Sequence, residues 1–202
     1  MLSILKFHSK EHGEKILHNL PDRKITYRRF WARIERASAR LQCEWGVKYG
    51  DLVTYIGNTH PDIMVLYFAL IRVGAFFLPA ENFSKFIIEK KILNMNLSHI
   101  ICDESFDNSN FISYSLSSLL STWSHHTPDV YKTDTNKRSL LILSEKNIIE
   151  EISLKDLRVS ENSKIKSPLV KGKIFKKENL INIIIPSLVK AKTLKFFNAK
   201  YS

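Results

Sequence analysis

The sequence predicts an α/β protein built on an open, mostly parallel sheet with helices on its faces. Short segments rich in β-branched and aromatic residues recur through the first hundred residues, and helical patterns separate them. Parallel strands need such crossover connections, which place helices on the faces of the sheet. We predict a polar lead-in over residues 1–20, an α/β subdomain over residues 21–105, and a divergent Ser/Asn/Lys-rich extension over residues 106–202, a basic tail that is poorly ordered.

The first predicted helix begins at Thr26, a residue type that caps helices. Apolar side chains then recur every three or four residues, and Gly46 supplies a left-handed end. The apolar positions are Phe30, Ile34, Ala37, Leu41 and Trp45. The opposite face carries Arg29, Arg33, Arg36 and Arg40. We interpret these arginines as the solvated face of an amphipathic helix and not as contacts to nucleic acid.

The elements that follow alternate between strands and helices. The predicted strands are Asp51–Ile56, Ala75–Leu78, Ser98–Cys102 and, more remotely, Leu140–Leu143. The predicted helices are Ile63–Val73, with Pro61 in its first turn and Gly74 at its end, and Ser84–Met95. Pro79 is expected to stop the strand before it. Beyond Ser144 we predict no regular element, although an apolar run stands at Ile181–Ile185.

The net charge of +11 makes nucleic acid or an anionic membrane conceivable partners. The excess is concentrated, because fifteen Lys/Arg face six Asp/Glu from Lys137 onward. Cys43 and Cys102 each lie in an apolar stretch and are expected to be buried thiols of a reducing compartment. The longest apolar run, Ile63–Leu78, is too short to cross a bilayer, and the N-terminus has no secretory signal pattern, so we expect a cytoplasmic protein.

Four short motifs occur in a fixed order between residues 20 and 105. They are Ile25-Thr-Tyr27, then Trp45-Gly-Val-Lys-Tyr-Gly-Asp51, then Ile56-Gly-Asn58 followed by Pro61, and finally Ala69-Leu-Ile-Arg-Val-Gly-Ala75 leading to Pro79. In this order and spacing they resemble the N-terminal subdomain of the AMP-forming acyl-CoA synthetase, luciferase and peptide-synthetase adenylation superfamily. Asp62 and Ala80-Glu-Asn82 depart from the family's pattern.

The resemblance implies roles for nine residues as scaffold and not as catalytic groups. They are Thr26, Tyr27, Gly46, Gly50, Asp51, Asn58, Pro61, Gly74 and Pro79. Gly50 and Asp51 would form the tight turn into a strand, and Asn58 would cap the next helix.

Members of this superfamily use ATP and Mg²⁺ to convert a carboxylate to an acyl-adenylate, which then reacts with a thiol such as coenzyme A. The reaction requires a Gly-rich loop whose backbone N–H groups hold the phosphates. No glycine occurs between Gly74 and Gly172, and Ser144-Glu-Lys-Asn147 stands where that loop is expected. Ser167-Pro-Leu-Val-Lys-Gly172 shares only a Lys-Gly ending with it. The family's adenine pocket, Mg²⁺-binding Glu and catalytic Lys domain have no counterpart here, so we expect this chain to bind no cofactor or metal and to lack catalytic residues.

Other candidate sites are weaker. His8 and His12 could share a metal on one helix face, but no third ligand is fixed nearby, and we interpret the segment as an exposed polar helix. His125-His126 has no accompanying nucleophile motif, so hydrolase functions find no support.

Three hypotheses about function follow from the sequence. The chain is a truncated, inactive relative of the acyl-CoA synthetases, a basic interaction module for RNA, membrane or a partner chain, or one part of a split enzyme completed in trans. The third hypothesis requires a complementing synthetase fragment that docks on an exposed sheet edge. Truncation would also leave apolar surface exposed, with Ile63–Leu78 as the expected location.

Overall fold

A computed structural model describes residues 1–19, 23–82, 84, 88–103, 112–121, 138–143, 149–153 and 169–197. The helices are α1 (Leu2–Glu11), α2 (Tyr27–Ala39), α3 (Ile63–Val73), α4 (Leu116–Ser121), α5 (Lys177–Asn179) and α6 (Ile185–Val189). Three π-helical turns lie at Arg40–Glu44, Ile88–Ile92 and Leu180–Ile184.

The strands are β1 (Ile16–Asn19), β2 (Lys24–Thr26), β3 (Leu52–Gly57), β4 (Phe76–Glu81), β5 (His99–Cys102), β6 (Ser113–Ser115), β7 (Arg138–Leu143), β8 (Ile149–Ser153), β9 (Leu169–Lys171) and β10 (Lys195–Phe197). Six of them form the central sheet in the order β6-β5-β3-β4-β7-β8. All its pairings are parallel except that of β7 with β8. The predicted mostly parallel α/β sheet is therefore confirmed.

The main core lies where α2 and α3 pack beside the sheet. In α3 every residue except Arg72 is buried, as its almost wholly apolar sequence requires. The expectation that Ile63–Leu78 would expose apolar surface is therefore wrong. The large hydrophobic side chains that are exposed in the described part of the chain are Phe7, Tyr49 and Ile112, and they lie far apart in sequence.

Several local predictions are confirmed with small shifts. Thr26 caps α2 by accepting a hydrogen bond from the backbone N–H of Arg29 at 3.3 Å. Gly46, Gly50 and Gly74 have φ of 72°, 86° and 81°, the left-handed region in which glycine is favoured. The strand predicted at Leu140–Leu143 lies within β7.

Three predictions need correction. They concern Pro79 as the end of a strand, Asn58 as a helix cap, and the helix predicted at Ser84–Met95. Pro79 does not stop β4, which continues to Glu81 with Pro79 opposite Tyr55 of β3. On its other side β4 pairs with β7 only at Phe77. Proline has no backbone N–H to donate, but this pairing does not require one at Pro79. Asn58 does not cap α3, which begins at Ile63 after Asp62. Of the predicted helix Ser84–Met95, only Ile88–Ile92 is a π-helical turn in the described residues.

Residues 169–197 form a β-helix-β unit that the sequence did not predict. In this C-terminal unit β9 and β10 pair in parallel, and the helical residues 177–189 connect them. Leu180, Ile184 and Leu188 follow one another at intervals of four residues and are buried in the main core. The apolar run at Ile181–Ile185 thus belongs to a packed helical segment, whose stability comes from tertiary packing.

The N-terminal residues also pack more closely than expected. His8 lies in α1 and His12 directly follows that helix, but His8 is buried and its Nε2 lies 2.9 Å from the carbonyl oxygen of Val189. Cys102 is buried as expected, whereas Cys43 is exposed, and both thiols are free. Among the described residues no helix is long and apolar enough to span a bilayer.

Candidate functional site at the carboxyl edge of the sheet

Polar residues follow two neighbouring strands where these strands end. Asn58, His60 and Asp62 come after β3, and Asp103 comes directly after β5. Since β3 and β5 are parallel neighbours, their carboxyl ends lie at the same edge of the sheet. Open α/β sheets bind ligands in the crevice outside this edge. This edge is therefore the candidate functional site.

Asp62 is the buried centre of this edge. Its carboxylate accepts hydrogen bonds from both Nη atoms of Arg33, at 2.5 and 2.7 Å, and from Nη2 of Arg23 at 2.8 Å. Burial alone would raise the pKa of Asp62, but the hydrogen bond and charge of Arg33 outweigh it and lower the pKa below its usual value. Asp62 is thus held as a carboxylate by a bidentate guanidinium, one of the stronger polar contacts in proteins.

His60 lies against Asp62 and is neutral near pH 7. Burial lowers the pKa of His60, and the attraction of Asp62 only partly opposes this effect. Its Nδ1 accepts the backbone N–H of Asp62 at 3.1 Å. The proton of the neutral ring is therefore on Nε2, which makes that nitrogen a donor.

Asp103 is fixed by groups in β3 and directly after it. It accepts the hydroxyl of Tyr55 at 2.6 Å and the backbone N–H of Asn58 at 2.8 Å. Burial, followed by the hydrogen bond to Asp103, raises the pKa of Tyr55, so the phenol remains a donor. A Cβ at Gly57 would lie 2.5 Å from Oδ2 of Asp103, so the carboxylate can approach this backbone only because residue 57 is glycine.

A cavity of about 290 Å³ opens between this polar edge and α4. Arg23, Arg33, His60, Asp62 and Asp103 form its polar side. The opposite side of the cavity is formed by three residues of α4, Leu116, Ser117 and Leu120. Its volume lies near the lower limit, roughly 300 Å³, of pockets that hold small molecules.

Glu81, at the carboxyl end of β4, serves a different purpose. Its side chain is buried and accepts the backbone N–H groups of Ile174 at 3.0 Å and Phe175 at 2.8 Å. Burial raises the pKa of Glu81 despite these hydrogen bonds. Phe175 lies among Tyr67 and Phe77, with ring centroids 5.2 Å from each. The Glu81 side chain therefore links the C-terminal unit to the carboxyl edge of the sheet through hydrogen bonds.

Comparison with known proteins decides the family. The sequence model of the family described as AMP-binding enzyme matches residues 5–167, well over half of the chain. The chain belongs to the AMP-binding enzyme family. The resemblance noted over residues 20 to 105 is therefore confirmed, and the match extends beyond it in both directions. No match was found among curated protein sequences.

Solved structures of adenylating enzymes have the same fold as this AMP-binding family chain. The N-terminal subdomain of Klebsiella oxytoca NpsA in complex with 3-hydroxybenzoyl-AMSN superposes with a TM-score of 0.80 at 15% identity, covering 100% of this chain and 54% of that one. Unliganded O-succinylbenzoate coenzyme A synthetase (MenE) from Bacillus subtilis gives 0.82 at 13% identity, covering 98% and 44%. The chain thus spans about half the length of these structures.

The residues that follow Lys171 and Gly172 do not fit the triphosphate of ATP. The Lys-Gly ending considered from sequence lies at Lys171 and Gly172, after β9, and Gly172 has a left-handed φ of 67°. The backbone N–H groups of Ile174 and Phe175, which come two and three residues after Gly172, already donate to Glu81. Residues 144–147 lie outside the described part of the chain.

The scaffold residues of this AMP-binding family chain divide between two edges of the sheet. At the amino edge the N–H of Gly50 donates to the carbonyl of Gly74 at 3.0 Å, and Oδ2 of Asp51 accepts the N–H of Lys48 at 2.8 Å. Asn58 and Pro61 lie at the carboxyl edge beside Asp62, and Pro79 lies near the end of β4.

Thr26 and Tyr27 begin α2, where the Tyr27 hydroxyl donates to the carbonyl of Lys192 at 3.0 Å. The roles of the nine residues as scaffold stay predictions from the resemblance. In the described ranges no group of three or more His, Cys, Asp or Glu side chains is placed to hold a metal ion.

The residues that build the cavity were not singled out from sequence. The interpretation of Arg33 as part of a solvated helix face is wrong, because its side chain is only 11% exposed and pairs with Asp62. Arg40 is buried too, and its Nε donates to Glu44 at 2.9 Å. The sequence does contain one signal for this ion pair. Asp62 immediately precedes an almost wholly apolar helix, and a carboxylate that is buried beside such a helix requires a charged partner.

Proposed function

We propose that this chain is a non-catalytic relative of the AMP-forming acyl-CoA synthetases, one that supplies the family's N-terminal sheet but no ATP site of its own. One observation carries the proposal. The family's fold is present, yet no glycine occurs between Gly74 and Gly172, where a phosphate-binding loop would need several. We place the protein in the cytoplasm, where free thiols such as Cys43 and Cys102 are stable.

The bond pattern at Glu81 supports the same proposal. Backbone N–H groups can hold a phosphate only while no other acceptor occupies them. Those of Ile174 and Phe175 lie just after the Lys-Gly pair, and the Glu81 carboxylate uses both. Binding a phosphate there would require Glu81 to leave its buried position, which would separate the C-terminal unit from β4.

The test is a calorimetric titration of the purified chain with Mg²⁺-ATP, combined with pyrophosphate release in the presence of fatty and aromatic acids. A competent acyl-CoA synthetase serves as the positive control. We expect neither saturable heat nor pyrophosphate from this chain. Saturable binding of Mg²⁺-ATP would overturn the proposal, because it would require a phosphate site within these residues. Pyrophosphate release only after a second polypeptide is added would favour the split-enzyme hypothesis.

The charge of the C-terminal unit favours one alternative, a module that binds polyanions. Residues 169–197 contain seven lysines and one acidic residue, Glu178. Lys171 and Lys195 are exposed on the two paired strands β9 and β10. Such a surface would bind RNA through phosphate contacts, with affinity that falls steeply as salt increases. Binding of a single-stranded RNA at low salt, lost in Lys171→Glu/Lys195→Glu, would support this alternative.

A further inference from the structure

The N-terminal helix α1 has two different faces. Its inner face packs against α2 and α6, and Leu5 on this face is buried in the main core. Its outer face consists of exposed side chains at the helical spacing of three and four residues, namely Ser3, Lys6, Phe7 and Lys10. Because the inner contacts fix the helix, this outer face is presented as a stable surface.

Phe7 lies exposed among lysines on this outer face. Its side chain is 55% exposed, and the rings of His8 and His12 lie beside it, with centroids 5.5 and 6.5 Å away. Lys6 and Lys10 are exposed and form no ion pair with any residue that the structure describes. A single exposed apolar side chain is ordinary on a protein surface. An exposed phenyl ring between two lysines whose charge is not neutralised is a more specific arrangement.

Two further lysines lie close to α1. The Nε2 of His8 lies 2.9 Å from the carbonyl oxygen of Val189, which directly precedes the exposed Lys190. Tyr27, whose ring centroid is 5.7 Å from that of His8, donates its hydroxyl to the carbonyl of Lys192. The side chain of Lys192 is exposed as well. The end of α6 thus adds positive charge beside the outer face of α1.

The charge and the phenyl ring together favour one kind of partner. The acidic residues in and directly after α1 are Glu11 and Glu14, and Glu14 already pairs with Arg28 at 2.8 Å. The lysines therefore attract an anionic partner. A polyanion such as RNA would account for the lysines but not for Phe7, because phosphate contacts require charge alone. An anionic lipid surface accounts for both, since its headgroups attract lysine and its interfacial region accepts an aromatic ring.

We propose that the α1 surface, which consists of Ser3, Lys6, Phe7 and Lys10 with Lys190 and Lys192 beside it, docks on an anionic membrane. The lysines lie over the lipid headgroups, and the phenyl ring of Phe7 enters the interface between headgroups and acyl chains. The cytoplasmic leaflet of cell membranes carries such anionic lipids. This docking requires neither ATP nor a helix that spans the bilayer, so it is independent of the function proposed above.

The experiment is sedimentation of the full chain with lipid vesicles at low salt. One set of vesicles contains phosphatidylcholine alone, and the other contains phosphatidylcholine mixed with phosphatidylserine. We expect binding to the mixed vesicles that falls as salt increases, and little binding to the neutral ones. Equal binding to both sets, or binding to neither, would overturn the proposal.

Substitutions test whether the α1 surface makes the contact. Lys6→Glu/Lys10→Glu should weaken binding by at least about a hundredfold, since each unit of charge near the membrane changes affinity by about fivefold. Lys48→Glu/Lys90→Glu, with the same change in net charge at two exposed positions outside this surface, is the matched control. Equal losses in the two double variants would contradict the assignment, because net charge alone would then explain the binding.

Phe7 separates a membrane from a nucleic acid. Phe7→Ala should weaken vesicle binding by about tenfold, whereas Phe7→Trp should preserve it, since tryptophan also favours the membrane interface. Tyr49→Ala, which removes an aromatic side chain that is 43% exposed at the amino edge of the sheet, is the control and should have no effect. Thermal unfolding reports whether each variant folds. Binding of a single-stranded RNA that depends on Lys6 and Lys10, without binding to the mixed vesicles, would assign this surface to nucleic acid and overturn the proposal.

Discussion

Two polar assemblies hold this molecule together, and they differ in what their hydrogen bonds join. The Asp62 cluster consists of Arg23, Arg33, His60 and Asp62, and its contacts centre on Asp62 at the polar side of the cavity beyond β3. The C-terminal junction consists of the contacts that join residues 169–197 to the rest of the fold. There most hydrogen bonds involve at least one backbone group, such as those of Glu81 to Ile174 and Phe175.

The N-terminal side of the junction shows the same character. The backbone N–H of Leu194 donates to the carbonyl of Leu17 at 2.6 Å, and the Thr193 hydroxyl donates to the carbonyl of Ile16 at 2.7 Å. His18, which forms an isolated parallel bridge with Leu194, is fully buried there. Charge pairing thus stabilises the carboxyl edge of the sheet, whereas hydrogen bonds to backbone groups join residues 16–18 to residues 193–194. The following variants test this difference.

The largest effect is expected for Asp62→Ala. The substitution leaves the guanidinium of Arg33, only 11% exposed, without its carboxylate. Breaking a buried ion pair from one side costs about 3–5 kcal/mol of the free energy of unfolding. Urea denaturation followed by circular dichroism measures the loss. Glu14→Ala, which removes the exposed partner of Arg28, should have no measurable effect. Equal stability of the two variants would show that the Asp62 cluster does not stabilise the fold.

The next effect concerns acid and the buried His18. Both ring nitrogens of His18 lack a hydrogen-bond partner, and Phe30 and Phe196 flank the ring. Burial lowers the pKa of His18 from 6.5 to about 4. Between these values the unfolded chain takes up a proton that the folded chain does not, so stability falls as pH falls, by about 3 kcal/mol from this group alone.

His18→Leu should remove that part of the pH dependence while preserving apolar packing. Urea denaturation at several pH values between 7 and 4 measures it. Above pH about 7 the two chains should show parallel pH dependence, since His18 is neutral in both folded and unfolded states there. A steep loss of stability between pH 6.5 and 4 that persists in His18→Leu would assign the acid sensitivity to another group.

The two assemblies also differ in how far the sequence predicts them. The β3-α3-β4 region follows from local signals: a segment of β-branched residues, an apolar helix, and Gly74 in the left-handed conformation. Even so, the partner of Asp62 could not be predicted, because Arg33 lies 29 residues away and the sequence shows only that it belongs to the polar face of a helix.

The C-terminal unit could not be predicted from composition, because its lysines and asparagines hide a short apolar pattern. Leu180, Ile184 and Leu188 do recur at intervals of four, but β-branched residues and Pro186 surround them. Helix propensity is therefore weak there, and packing in the main core decides the conformation. In the sequence, Glu81 stands out only as a departure from the family's pattern. Its hydrogen-bond partners could not be predicted, because they lie more than 90 residues away.

A smaller effect is expected for Glu81→Ala, and it should be confined to the junction. The substitution leaves the N–H groups of Ile174 and Phe175 buried without an acceptor, which costs about 2 kcal/mol. Hydrogen exchange should accelerate in residues 169–197 and stay unchanged in β3. Glu178→Ala, on the exposed side of α5, is the control. Faster exchange throughout the sheet would show that the unit is not a separate junction.

The pH dependence of this carboxyl has the opposite sign to that of His18. Because burial raises the pKa of Glu81, the folded chain keeps its proton to a higher pH than the unfolded chain does. The stability that Glu81 contributes is fully present at pH values below the pKa of Glu81 in the unfolded chain. It is lost as pH rises through the pKa of Glu81 in the folded chain. Glu81→Gln, which stays neutral, should lack this decline.

The smallest effect is expected for Tyr27→Phe, and its pH dependence separates the kinds of contact at the junction. The Tyr27 hydroxyl donates to the carbonyl of Lys192 at 3.0 Å, so its removal should cost about 1 kcal/mol. Burial raises the pKa of Tyr27, so the phenol stays protonated wherever His18 or Glu81 titrates. The loss measured by urea denaturation should therefore be the same at pH 5 and pH 8. A loss that changes between these pH values would mean that the hydroxyl is coupled to His18 or Glu81, and the junction would then act as one titrating network instead of a set of independent backbone contacts.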